Sequence, residues 1–247
     1  MKTSSTLQQR AKATRRSLLE TAAHLFAERG YAGTSINDIS RRSGRTSGAV
    51  YFHYASKERL ALAVVEDAFA TWPHLTTRYT DCSVPPLDRL VALSFEIAHA
   101  LMKDTVVRAG ARLWAERDAI DASLPDPFAL WTTATTRLLA QARTTRQLAQ
   151  QARPAAVAPT LVRAFYGLCT LTEALEGRHG IADRLTDWWH ITLPFLQHDT
   201  DATSVLGRVR AAGSGGLPWA DVSGLGTPGP AGRCRPTRPS SPCGRPR

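Results

Sequence analysis

The chain has 247 residues, of which 43% are hydrophobic, and a formal net charge of +10, so it is expected to be globular at least in part, as one large domain or two smaller ones. No run of about eighteen uncharged apolar residues occurs, and Met1 to Arg16 is polar and basic without an apolar segment behind it. Neither a spanning helix nor a secretory signal is expected, and the expected compartment is the cytoplasm.

Leu18, Leu19, Ala22, Ala23, Leu25 and Phe26 recur at three- and four-residue steps, which predicts a first helix over about 8–29, stopped by Gly30. Thr34 offers a hydroxyl to cap a second helix, with Ile36 and Ile39 turned inward and Asn37, Asp38 and Ser40 to Arg42 turned to water, and Gly44 ends it. Thr46 caps a third helix, about Ser47 to His53, whose anchors Ala49, Val50 and Phe52 are expected to pack inward while Tyr51 and His53 reach outward. Ser56 caps a long fourth helix, about Lys57 to Tyr79. Further helices are expected near 87–102, 104–118, 126–148, 157–177 and 181–198, punctuated by Pro85-Pro86, Pro125, Pro127, Pro154, Pro159 and the Gly177 to Gly180 segment.

No alternating stretch is long enough for a strand, so the expected fold is all-α. A three-helix N-terminal unit is expected over 1–56 and a larger helical bundle over 57–198. Residues 199–247 carry 9 of the 17 glycines and 7 of the 15 prolines and are expected to be disordered. The Arg/Pro/Gly run from Gly229 to Arg247 reads as a solvated tail or as a weak auxiliary arm on DNA. Cys82, Cys169, Cys234 and Cys243 are widely spaced, without a CxxC pair or a neighbouring histidine pair, so ordinary thiols are expected, with no metal site, disulfide framework or cofactor.

A helix, a tight glycine turn and a second short helix form a helix-turn-helix, whose second helix enters the major groove, about 12 Å wide. Thr46, Ser47 and Gly48 leave the start of that helix unencumbered, and a helix N-terminus favours a phosphate. Arg41, Arg42, Arg45 and Lys57 bracket the segment, and Arg10, Lys12, Arg15 and Arg16 stand on the first helix. Residues 1–60 hold 11 Lys and Arg against 4 Asp and Glu, residues 61–198 hold 13 against 14, and residues 199–247 hold 7 against 3. A basic end beside a neutral middle is the pattern of a DNA-binding head joined to a unit with another task.

The stretch from about Thr14 to Val65, with AVYFHYASKE and the ATW that follows at residues 70–72, resembles the DNA-binding domain of TetR-type transcriptional regulators, and within them the gamma-butyrolactone receptor branch of actinomycetes. RAGARLW (108–114), PFALW (127–131) and the helix order to residue 198 resemble that branch more loosely. The resemblance implies a homodimer of nine-helix subunits that sits on a pseudo-palindromic operator, represses transcription, and lets go when a small signal molecule enters the bundle. It implies that Thr46, Ser47, Gly48 and Tyr51 contact bases or the groove and that Thr34, His53 and Lys57 contact phosphates. It also implies that Trp131 lines the ligand pocket. Many butyrolactone receptors carry an apolar residue and a lysine where this chain has Arg45 and Ser47, a pattern closer to the pseudo-receptors of the branch, which answer to antibiotics or their intermediates. Arg45 then either reads a guanine or holds a phosphate.

Trp114, Phe128, Trp131, Phe165, Tyr166, Trp188 and Trp189 supply apolar walls for a ligand cavity or for ordinary core packing. Phe95, His99 and Met102 form one helical stripe and Leu161, Phe165, Leu168 and Thr172 another, each facing a pocket or a neighbouring helix. The candidate inducer-binding residues are therefore Trp131, Phe128, Trp114, Phe95, His99, Phe165, Leu168 and Thr172. The last two long helices are expected at the dimer seam. An enzyme is the competing class, but neither GxSxG nor HExxH occurs. A nonspecific architectural DNA binder would leave the neutral, aromatic bundle unexplained, whereas a TetR-type regulator of an efflux or catabolic gene, answering to another hydrophobic ligand, would not.

Overall fold

A computed structural model describes residues 2–80, 84–197 and 202–214 of the chain. The fold is all-α. Eleven α-helices are formed among these residues: α1 (Lys2–Arg29), α2 (Ile36–Ser43), α3 (Ser47–Tyr54), α4 (Lys57–Phe69), α5 (Trp72–Thr80), α6 (Pro86–Lys103), α7 (Thr105–Ala115), α8 (Pro127–Thr144), α9 (Pro154–Glu176), α10 (Ile181–Leu196) and α11 (Ala202–Ser214). Short 3-10 turns lie at Arg117–Ala119 and Arg178–Gly180, and the sole β feature among the described residues is an isolated bridge between Leu148 and Gln197.

Two of these helices correct the sequence expectation of nine. The fourth helix does not run to Tyr79; it stops at Phe69, and α5 begins at Trp72. Pro73 sits in the first turn of α5, where its missing N–H costs no helical hydrogen bond, so it marks a new start within what reads as one apolar run. The disorder expected from residue 199 does not hold for residues 202–214, because α11 buries Val205, Leu206 and Val209 against the bundle. The Arg208 guanidinium pairs with the buried Asp88 carboxylate of α6 at 2.7 and 2.9 Å. Residues 215–247, with Cys234, Cys243 and the Gly229 to Arg247 run, and Cys82 lie outside the described residues.

The buried side chains fall into two clusters. The N-terminal one gathers Leu18, Leu25 and Phe26 of α1, Ile39 of α2, Val50 and Tyr54 of α3 and Leu60, Val64 and Val65 of α4. It also includes Ala109 and Leu113 of α7, so the packing of the head continues past residue 56 into the bundle. The contact of α4 with α7 is the most extensive between helices among the described residues. It depends on Gly110: a Cβ there would stand 2.4 Å from the Cβ of Ala68, closer than two carbons can approach.

The second cluster fills the bundle, with Trp72, Leu93, Trp131, Leu138, Phe165, Leu185, Trp189 and Leu193 among its members. By length and composition α9 is apolar enough to cross a membrane, although it carries Arg163; here it packs against α8 and α10. Cys169 is buried on α9, and burial pushes its thiol up to about 12, so it stays protonated and unreactive.

Candidate nucleic-acid interface and bundle cavity

The reading head is built by its caps. Ser35, not Thr34, is the N-cap of α2: its hydroxyl accepts the Asp38 N–H at 3.1 Å and donates to the Asp38 carboxylate at 2.5 Å, while its own N–H donates to that carboxylate at 3.0 Å. This reciprocal capping box, with the Arg41 guanidinium beside it, lowers the Asp38 pKa to about 2. Thr34 is buried, and its hydroxyl donates to the Gly30 carbonyl at 2.9 Å. The phosphate contact expected of its side chain is thereby corrected, since that hydroxyl faces the head's interior.

At the end of α2, Gly44 adopts φ +65°, and its N–H reaches back to the Ser40 and Arg41 carbonyls. Ser40, expected at the surface, is buried instead, and its hydroxyl donates to the Arg45 carbonyl at 2.5 Å, which holds the turn from inside. Thr46 then caps α3 by accepting the Ala49 N–H at 3.2 Å. The Ser47 hydroxyl donates to Asn37 Oδ1 at 2.9 Å and so ties α3 to α2 while the residue stays near the outer surface.

The rings of α3 divide differently from expectation. Phe52 is 84% exposed and Tyr51 51% exposed, whereas Tyr54 is buried and donates its hydroxyl to the Arg15 carbonyl at 2.8 Å. The inward anchors are Val50 and Tyr54, four positions apart, and Phe52 belongs to the outward face with Tyr51 and an edge-on His53. Phe52 is the functional candidate that sequence reasoning missed. The signal that could have found it is the i, i+4 spacing of Val50 and Tyr54, which leaves no inward place for residue 52.

The basic bracket is also partly spent. Arg16 binds Asp67 and Glu20, Arg41 binds Asp38, and Arg42 binds Glu28. Arg45 is exposed and has no carboxylate partner among the described residues, and Gly48 beside it is open. Lys57 lies over the Tyr31 ring at 3.9 Å, where burial lowers its pKa against the opposing pull of Glu58. Tyr31 in turn donates its hydroxyl to Glu58 at 2.7 Å and its N–H to Glu116 at 2.6 Å. Arg112 of α7 completes the link, pairing with Glu116 and donating to the Ala27 carbonyl at 2.9 Å.

In the bundle, Trp131 and Phe165 meet edge to face with centroids 4.6 Å apart and border a cavity of about 10 Å³. Leu90, Ser94, Thr135, Leu161, Val162, Trp188 and Trp189 complete its wall. It has room for about one water molecule. The other expected ligand residues are not gathered there. Trp114 and Phe128 form a separate cluster with Tyr166, with centroid separations of 4.6 and 4.9 Å, and Arg117 caps Trp114. Phe95 and Leu168 are half-buried against the bundle core, Thr172 is buried, and His99 is half-exposed. From Trp131 a chain of edge-to-face contacts leads outward: Trp131 to Trp72 at 6.4 Å, and Trp72 to Phe69, the last residue of α4, at 4.6 Å.

A capped reading helix on a head that shares α4 and α7 with an aromatic bundle defines a helix-turn-helix regulatory protein. Two family models match: the tetR family of bacterial regulatory proteins over residues 18–64 and the tetracycline repressor-like C-terminal domain over residues 84–196. The chain belongs to the TetR family of bacterial regulatory proteins. It is 32% identical over 191 residues to the A-factor receptor protein of Streptomyces griseus, a match covering 77% of this chain and 66% of that protein, just under two thirds. A solved structure concerned with the control of antibiotic production by bacterial hormones is 40% identical and aligns at TM-score 0.67, covering 75% of this chain and 98% of its own. A gamma-butyrolactone receptor, described as ArpA-like, is 30% identical at TM-score 0.70 over 82% of this chain and 99% of its own. CprB from Streptomyces coelicolor, solved with its biological operator sequence, is 30% identical at TM-score 0.69 over 82% of this chain and 98% of its own.

Proposed function

We propose that the protein is a dimeric transcriptional repressor of the gamma-butyrolactone receptor branch. It binds a pseudo-palindromic operator and releases it when a small hydrophobic signal enters the bundle, and it controls secondary metabolism such as antibiotic production in the cytoplasm. The observation that carries this reading is the outward face of α3, where Tyr51 and Phe52 stand exposed on a rigidly capped helix beside Arg45, which has no carboxylate partner among the described residues. Exposing two large rings to water is unfavourable for the isolated protein, and groove contact with sugars, bases and thymine methyls removes that exposure. Arg45, Thr46, Ser47, Gly48, Tyr51, Phe52 and His53 are the proposed contacts, with Lys57 at the edge near the phosphates.

Release follows from the packing. Opening the Trp131 cavity displaces Trp131 against Trp72, and Trp72 against Phe69 at the end of α4. Because α4 is locked to α7 at Gly110, the two move as a unit and carry α3 with them. The ligand shifts this equilibrium only by its difference in affinity for the open and closed bundles.

The test is a gel-shift with the promoter DNA beside the protein's own gene, repeated with an organic extract of the producing culture. Retardation of that fragment by about a thousandfold over random DNA at moderate salt, reversed by the extract, is expected. Equal retardation of all fragments would overturn the reading.

A further inference from the structure

We propose that the turn between α8 and α9 carries a second ligand site, built for the dianionic head of a small phosphate monoester. An open depression of about 660 Å³ lies there, within the size range of small-molecule sites, and Arg143, Arg146, Leu148 and Gln150 line it among the described residues. It shares none of these residues with the wall of the Trp131 cavity, so the inference stands apart from the inducer and from the operator.

The turn is fixed, and its arginines are not used up in fixing it. The N–H groups of Gln147 and Leu148 both donate to the Ala142 carbonyl, at 2.8 and 3.1 Å, and the Ala149 N–H donates to the Leu196 carbonyl of α10 at 2.7 Å. Leu148, Ala149 and Ala152 are buried. Arg143 Nη2 donates to the Gln150 carbonyl at 3.3 Å and to the Ala152 carbonyl, which orients the guanidinium, while Nε and Nη1 keep no acceptor among the described residues. Arg146 is exposed, and its guanidinium has no partner among them. Its backbone stands at φ +56°, a left-handed conformation that is costly for a residue with a Cβ and that glycine adopts freely just past a helix end. An arginine held there at a cost is accounted for if its side chain has a task.

The surroundings select the charge of the ligand. Residues 127–172 contain five arginines and no aspartate or glutamate. The start of α6 meets the turn, where the Leu87 N–H donates to Gln147 Oε1 at 3.3 Å, but the neighbouring Asp88 carboxylate is taken by Arg208. Two guanidinium groups on one rigid turn repel each other, and an anion between them removes that repulsion. A phosphate monoester brings close to two negative charges and three acceptor oxygens, which suits two planar forks, whereas a carboxylate or a sulfate ester brings one charge. Leu148 offers an apolar floor to the part of the ligand next to the head. A buried donor is unmet close by: Gln197, across the isolated bridge from Leu148, is 7% exposed and its Nε2 has no acceptor.

Three probes share one ring and differ in charge: phenyl phosphate, phenyl sulfate and phenol. Binding is measured by isothermal titration calorimetry on the full chain at low salt without DNA, and ligand-free stability by thermal unfolding. At neutral pH the wild type is expected to bind phenyl phosphate at least tenfold tighter than phenyl sulfate, and phenol most weakly. Affinity for phenyl phosphate should rise as pH passes about 6, where the second phosphate proton leaves, while that for phenyl sulfate stays level. Arg146→Gly is expected to lose tenfold or more in phenyl phosphate affinity and, relieved of the left-handed arginine, to unfold about 2–4 °C higher. Arg146→Lys, which keeps the charge without the fork, should fall between that variant and the wild type. Arg137→Gln, an exposed arginine of α8 outside the depression, should bind as the wild type does.

No binding of phenyl phosphate, equal affinity for the phosphate and the sulfate, unchanged binding in Arg146→Gly, a lower unfolding temperature for that variant, or an equal loss in Arg137→Gln would each overturn the proposal. None of these outcomes depends on operator recognition, so the repressor reading stands or falls separately.

Discussion

Tyr51 and Phe52 are exposed on a helix of eight residues whose only inward anchors are Val50 and Tyr54, so removing either outer ring leaves the head's core untouched. Tyr51→Ala and Phe52→Ala are each expected to weaken operator binding by about 1–3 kcal/mol, roughly ten- to a hundredfold, with an unchanged thermal unfolding temperature. Intact operator affinity in both variants would displace α3 from the groove. Asp38 acts through stability rather than contact. The Ser35 hydroxyl, the Ser35 N–H and then Arg41 hold its pKa near 2, below the ordinary 3.8. A carboxylate with a depressed folded-state pKa contributes stability that is complete above the unfolded value and is lost as pH falls through the folded one. Denaturant titrations should therefore show wild-type stability dropping between about pH 4 and 2 by more than that of Asp38→Asn, which lacks the titrating group. Parallel pH profiles for the two proteins would remove Asp38 from the linkage.

The contact between α4 and α7 joins the reading head to the bundle, and Gly110 permits it. Gly110→Ala places a methyl into Ala68, forcing the helices apart at a typical overpacking cost of about 1–3 kcal/mol. The expected result is a lower unfolding temperature together with altered operator affinity, because the position of α3 follows α4. Adding Ala68→Gly restores the space, so the double variant should recover both properties, and a purely additive double variant would show that the two positions do not meet. The break between α4 and α5 gives the same picture from the other side. Phe69 and Trp72 flank it and meet edge to face, and Trp72 in turn meets Trp131 on the cavity wall, so the end of α4 reaches the cavity through one intervening ring.

Operator symmetry requires two reading heads about 34 Å apart, one helical turn of DNA, and the chain offers a surface to hold them. Leu171 and Leu175 on α9 and Ile191 and Phe195 on α10 are all more than half exposed, each pair at a four-residue step. The alternatives left open by the α9 stripe separate here. Leu161, Phe165 and Thr172 face inward, while Leu171 and Leu175 point away from the bundle. A matching copy across a two-fold axis would cover the outer stripe. Leu175→Arg combined with Phe195→Arg is expected to yield a folded monomer in sedimentation and to weaken operator binding a hundredfold or more, since two linked heads bind far better than one. A dimer that persists in the double variant would place the seam elsewhere.

Helix content and the helix-turn-helix are readable in the linear chain, because caps, glycine stops and three- and four-residue periodicity are set by neighbours within a turn or two, whereas Trp131 stands out from the other rings only through the family resemblance. Ser35-x-x-Asp38 is equally local, and Thr34 competes with it as a cap because both hydroxyls precede the same helix. Packing between distant segments decided the rest. Phe52 turned outward because Tyr54 had a partner at Arg15; α11 formed because Val205, Leu206 and Val209 found an apolar surface on a bundle that the Gly- and Pro-rich composition of its surroundings did not reveal. Which rings share one cavity depended on how four helices close around a common space, and no window of adjacent residues carries that information.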